Sequence, residues 1–147
     1  MKLNIDSIIA EWKQDSILDE TKLSTELARI PLLHSKYLEV YLTSKSKLIS
    51  VTSSYNELKF TRKKYFRGEM TREELLAHGW DQYQGLKMSH SEFNSTADID
   101  PVLNDEWVKV EYWKGIVSGI EWIMKEIQNR GYTIKTMVEY NKIIMGG

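Results

Sequence analysis

Residues 101–130 read PVLNDEWVKVEYWKGIVSGIEWIMKEIQNR. Glu106, Val110, Trp113, Val117, Ile120, Met124 and Ile127 recur in alternating steps of four and three. That period keeps one stripe of an α-helix turned toward a partner. Pro101 suits a first turn, where a backbone N–H has no intrahelical acceptor, and Gly131 suits a stop. The stretch therefore predicts a helix from Pro101 to Arg130. Trp107, Ile116 and Ile123 widen the apolar surface beyond one stripe, so this helix must pack against several neighbours. Another long helix of the same chain can supply part of the cover and sister chains the rest. Val110, Trp113, Val117, Ile120, Met124 and Ile127 are thus the expected oligomerisation residues.

The partner helix lies upstream. From about Glu20 to Phe66, Leu23, Leu27, Ile30, Leu33, Tyr37, Leu38, Tyr41, Leu42, Leu48, Ile49, Tyr55 and Leu58 keep a three-to-four spacing. Pro31 falls inside this run and predicts a kink or a restart, because proline lacks the N–H and crowds the preceding turn. Gly68 marks the end. At about 1.5 Å per residue a straight helix of this length would reach roughly 70 Å, which suggests an arm, a helical hairpin or an oligomer.

Shorter elements flank these two. Ile5, Ile8, Ile9 and Trp12 predict a helix over residues 5–14. Thr71 and Glu74 fit a capping box ahead of ELLAHG, with Gly79 as the stop. Residues 80–100 read as a polar, irregular connection with an extended piece near Leu86–Met88. A final short helix is expected over Lys135–Ile144. The fold class is mainly α: one helical domain over 1–147, with N-terminal helices to residue 67, a connection over 68–100 and oligomerisation helices from 101 onward, packed as a hairpin or bundle.

The chain has 147 residues, no cysteine and a formal net charge of −1. One domain with a real core fits that length. Disulfide frameworks and thiolate metal or redox sites are excluded. No run of about 18 apolar residues predicts a membrane span, so a cytoplasmic location is expected. His34, His78 and His90 are scattered among different segments, and no metal-binding histidine motif, phosphate-binding loop or dinucleotide glycine pattern occurs. Asp98, Asp100 and Asp105 suit capping beside a helix start better than a cation site. No catalytic residue, cofactor or metal is expected.

The near-neutral total conceals blocks. Between Lys45 and Arg72 eight basic residues face only Glu57 and Glu69, and five of the eight crowd into residues 59–67. Tyr55, Phe60, Tyr65 and Phe66 lie among or just before them. On a helical wheel Tyr55, Lys59, Arg62, Lys63 and Phe66 fall within about 100° of arc, flanked by Lys64 and Arg67. Cations neutralise phosphates, and rings stack on unpaired bases without demanding a sequence. One reading is therefore a single-stranded nucleic-acid surface built from Tyr55, Lys59, Arg62, Lys63, Lys64, Phe66 and Arg67. The other is a solvated helix end whose rings are core, in a helical scaffold or protein-interaction module that touches no DNA.

Three stretches carry a family resemblance. LDETKLSTELARIPLLHSKYLEVYL (18–42), KYFRG (64–68) and IQNRGYTIKTMVEYNKIIMGG (127–147) resemble, in order and spacing, the UvsY family of recombination mediators of large tailed phages. The resemblance implies an accessory protein without enzymatic activity, acting in the cytoplasm of the infected bacterial host. It implies a ring-forming homo-oligomer assembled through its C-terminal helical region. It also implies binding to single-stranded DNA, to a RecA-like recombinase and to a single-strand DNA-binding protein. Leu58, Lys59 and Arg62 fit the family's leucine–lysine–arginine DNA motif with one extra intervening residue, and Phe60 stands where a lysine is expected.

Overall fold

The computed structural model describes residues 1–146. They form five α-helices and one 3-10 turn, with no strand among the described residues: α1 (Ile5–Asp15), α2 (Leu23–Phe66), α3 (Arg72–His78), α4 (His90–Thr96), the 3-10 turn (Ala97–Ile99) and α5 (Pro101–Ile144). The mainly helical class and the two long helices match the sequence expectation. The chain divides into two compact units, residues 1–47 with 113–147, and residues 48–112. No described helix is long and apolar enough to cross a membrane.

In the first unit the amino-terminal part of α2 runs antiparallel to the carboxyl-terminal part of α5. Tyr41 hydroxyl meets Glu121, while Glu26, fifteen positions earlier, meets Arg130. Ile8, Leu33, Tyr37, Ile116, Ile120, Ile123 and Ile127 form the core, with Trp12, Trp113 and Met124 packed against it. Helix α1 starts where the Asn4 side chain accepts the Ser7 N–H at 2.8 Å, and its Trp12 ring packs at right angles to that of Tyr37.

Pro31 does not interrupt α2. It lies on the exposed side with Leu27 and Leu32, where water can serve the carbonyl that proline leaves without a donor. Nor does Gly131 end α5. Arg130 and Ile134 carry the buried period past it, so the expected separate helix over 135–144 is the last part of α5. The Arg130 guanidinium donates to the Ser16 and Ile17 carbonyls at 3.1 and 2.9 Å and to Glu26 at 3.4 Å, which anchors the α1–α2 connection.

An ionic cluster joins α1 to α2. Lys36 donates to Asp15 at 2.6 Å and also to Glu11. Tyr37 hydroxyl donates to Asp15 at 2.9 Å. Burial acts to raise the Asp15 carboxyl, but the hydrogen bonds from Lys36 and Tyr37 outweigh it and hold the group below its usual range. A depressed carboxylate contributes stability that is complete above its unfolded pKa and is lost as pH falls through the folded value. Asp15→Asn should therefore lower the melting temperature at neutral pH and flatten the loss of stability below about pH 4. Thermal melts by circular dichroism across that range check this; an unchanged acid slope counts against the role of Asp15.

The second unit holds a smaller core of Phe93, Ala97 and Leu103, against which Tyr55, Leu58 and Phe66 pack. Its α4 and 3-10 turn occupy the stretch read as irregular. The Ser89 hydroxyl accepts the Glu92 N–H and the Glu92 carboxylate accepts the Ser89 N–H, a complete capping box. The expected extended piece at Leu86–Met88 is instead tied to the end of α2, where the Met88 N–H donates to the Phe66 carbonyl at 3.1 Å. The expected capping box of α3 is present, with Gly79 left-handed at φ 68°.

Candidate nucleic-acid interface

The basic, aromatic segment is the last three turns of α2, within the second unit. The helix closes at Gly68, whose φ of 67° suits a residue without Cβ, and the Glu69 N–H turns back to the Lys64 carbonyl at 2.9 Å. The structure does not keep the segment as one exposed face. Phe93, Ala97 and Leu103 draw Tyr55, Leu58 and Phe66 partly inward.

Arg62 goes furthest. It is only 7% exposed, and Asp100, its partner, 5%. Nε donates to Oδ2 at 2.7 Å and Nη2 to Oδ1 at 3.1 Å, a two-pronged pair of the kind that suits a planar guanidinium. Tyr65, Phe66 and Trp80 surround its carbon at 4.7–4.8 Å from their ring centres. Asp100 Oδ1 also accepts the Val102 N–H in the first turn of α5. Arg62 thus binds α2 to the start of α5 and is not presented to solvent. The expectation that it shares an exposed face with Lys59 is corrected here. The cause is the α4 segment, which brings Asp100 to α2 from a stretch whose sequence is polar and without apolar period.

The other cations remain near the surface. Lys59 is half-buried, with its Nζ 5.9 Å from the centre of the Tyr55 ring. Lys63 is half-buried and makes no ion pair or side-chain hydrogen bond among the described residues. Lys64 pairs with Glu74 at 2.7 Å, and Arg67 with Glu69 at 3.0 Å. Partly exposed single pairs of this kind are worth about 0–1 kcal/mol, so a phosphate can replace either carboxylate. Phe60, on the neighbouring face, is 66% exposed and ends an open trough along α2 with Leu48, Ile49, Thr52, Ser53, Asn56 and Glu57. No group of acidic and histidine side chains among the described residues has the geometry of a metal site.

The expected oligomerisation stripe also lies elsewhere than on the surface. Val110, Val117, Ile120 and Ile127 are buried, and Trp113 and Met124 pack on the core of the first unit. The first unit's exposed apolar side is a groove formed by Ile5, Ile9 and Trp12 of α1 with Gly115, Gly119 and Trp122 of α5. A Cβ placed on either glycine would meet nothing within 4 Å.

Comparison with known proteins bears on what such a helix end does. Residues 11–147 match the family described as "Recombination, repair and ssDNA binding protein UvsY". The chain belongs to the UvsY family. The recombination protein uvsY of Enterobacteria phage T4 is 24% identical over 133 residues, which covers 90% of this chain and 91% of that one. Crystal structures of the bacteriophage T4 recombination mediator protein UvsY share the fold. One superposes with a TM-score of 0.81 over 97% of this chain and 99% of that one, another with 0.82 over 100% and 99%, each at 20% sequence identity. The UvsY family is thus one of recombination, repair and single-stranded DNA binding.

Proposed function

We propose that this chain is a recombination mediator. It binds single-stranded DNA and helps to load a RecA-like recombinase onto strands covered by a single-strand DNA-binding protein, in recombination-dependent replication and repair. The observation that carries this reading is the UvsY family match over residues 11–147. Lys59 and Lys63 are the principal phosphate contacts, being surface cations without carboxylate partners, while Lys64 and Arg67 join by exchanging Glu74 and Glu69 for phosphate. Tyr55 and Phe66, half-buried on the small core, back this surface, and Arg62 positions it from below. Mediation needs no bond-making by this chain. It needs a grip that several copies share and that no single copy makes irreversible.

We also infer a ring-like homo-oligomer in which the groove of α1 and α5 receives a helix of a second copy. Glycine inside a helix costs about 1 kcal/mol relative to alanine. Gly115 and Gly119 have no neighbour among the described residues that would account for them, whereas close approach of another helix would.

The test is titration of fluorescein-labelled single-stranded and duplex DNA at several salt concentrations. Each phosphate contact on a single strand contributes about 0.7 to the logarithmic salt slope. Lys59→Ala/Lys63→Ala should weaken binding and flatten that slope by about 1.4 while leaving assembly intact. Equal affinity and slope in the folded double variant removes both lysines from the interface. A helical scaffold without DNA binding would show no preference for the single strand and would leave recombinase loading unchanged in strand-exchange assays.

A further inference from the structure

Within the second unit, Tyr55 of α2 and Leu103, Asn104 and Trp107 of α5 line a cavity of about 310 Å³, with Ala97 and Asp98 of the 3-10 turn. That volume is at the small end of ligand-sized cavities, which run from roughly 300 to 1,000 Å³. Its walls are mixed in character. Trp107 is 47% exposed and contributes an indole to the lining. Tyr55 lies deeper and shares the cavity wall with Asp98; burial, then the charge of Asp98, pushes its hydroxyl above the usual range. Among the described residues the Asp98 carboxylate, the Asn104 amide and the Trp107 indole N–H make no hydrogen bond within the chain. Lys59 stands at the same ring, its Nζ 5.9 Å from the Tyr55 centre.

We propose that this cavity accepts one unpaired base of a bound single strand, guanine by preference. The base would stack on Trp107, and its donor edge would meet Asp98. The proposal rests on the single-strand reading and adds to it a named subsite. A stacked base needs a flat aromatic wall, and Trp107 supplies one. A base edge is read by fixed donors and acceptors. An ionised carboxylate only accepts, and guanine presents two adjacent donors on its pairing edge, N1–H and the 2-amino group. Thymine presents one donor between two carbonyl oxygens, which the carboxylate repels. A phosphate beside the base would lie within reach of Lys59. Asp98 also accounts for itself poorly as a general part of a DNA surface, since a free carboxylate there repels the backbone of any strand.

The experiment compares the full chain's affinity for a short thymidine oligonucleotide with that for the same oligonucleotide carrying one central guanine. Both are read by fluorescence anisotropy, with circular dichroism confirming the fold. The unaltered protein should bind the guanine-bearing strand about tenfold more tightly, the lower end for a hydrogen bond to a charged group. Asp98→Asn should erase that difference. Trp107→Ala should weaken both strands about fivefold or more, and Trp107→Phe, which keeps a ring, should hold within about twofold. The proposal is overturned if Asp98→Asn strengthens both strands equally, as loss of a merely repulsive charge would. It is overturned equally by a Trp107→Ala protein of unchanged affinity. Failure of the unaltered protein to bind either strand refutes the single-strand reading itself, and the cavity with it.

Discussion

Replacing Arg62 with alanine is expected to destabilise the second unit by about 3–5 kcal/mol, the range for removing one partner of a buried ion pair. The loss has two parts. Asp100 keeps a charge that is almost wholly shielded from water and, among the described residues, retains only the Val102 N–H as a donor to its carboxylate. The box formed by Tyr65, Phe66 and Trp80 loses the flat cation it closes on. Arg62→Lys should fall between, since an ammonium keeps the charge but cannot make two parallel bonds or stack as a plane. Denaturant unfolding followed by circular dichroism measures this directly, and a loss under about 1 kcal/mol would mean that the pair is not a structural tie.

The same residue lies in the segment that resembles the family's DNA motif, so stability and DNA contact must be separated. Replacing both partners of a buried pair by well-packed groups is often nearly neutral. Arg62→Met/Asp100→Ser removes both charges and leaves serine, a good residue to cap the start of α5. It should recover most of the stability lost in Arg62→Ala. If Arg62 acts only by positioning, this protein binds single-stranded DNA with the salt slope of the unaltered chain. A slope reduced by about 0.7 would show that the guanidinium reaches a phosphate after all.

The behaviour of Arg62 shows what sequence patterning conveys and where it stops. The periodicity of residues 20–66 and 101–130 was sufficient for the two long helices, because three-to-four spacing of apolar groups is a local property of one element. Thr71, Glu74 and Gly79 specified α3 for the same reason. The equivalent signature at Ser89 and Glu92 lies amid polar neighbours without an apolar period to mark a helix, and much depends on it. Without α4 and the turn after it, nothing brings Asp100 to Arg62 or Phe93 to Phe66, and a wheel drawn for α2 alone leaves both residues outside. Gly131 misled in the opposite direction. Glycine stops a helix only where the backbone gains by leaving it, and the buried Arg130 and Ile134 on either side favour continuing. Of the candidate contact set, charge density picks out the helix end proposed as the contact surface, but which cations stay at the surface depends on partners distant in sequence.

The same distinction gives the second large effect. Ile120→Glu should unfold the first unit, whereas Trp122→Glu should leave it folded and dissociate the assembly. Ile120 is fully buried between α2 and α1 residues in the core, and a carboxyl group there has no donor. Burying it, ionised or neutralised, and losing the isoleucine contacts together cost about 5 kcal/mol or more. That matches the whole stability of many domains. Trp122 is 58% exposed beside Gly115 and Gly119, so a charge at that position disturbs the fold by no more than about 1 kcal/mol. It would, however, bring an uncompensated carboxylate into a groove that a second copy is proposed to fill. Light scattering after size exclusion, with circular dichroism on the same samples, separates the two. Helical, lower-mass Trp122→Glu together with unfolded Ile120→Glu places the assembly surface on the glycine groove. A folded monomer from Ile120→Glu, with Trp122→Glu still assembled, would return that surface to the stripe of Val117, Ile120 and Ile127, and would mean that this stripe is shared between copies.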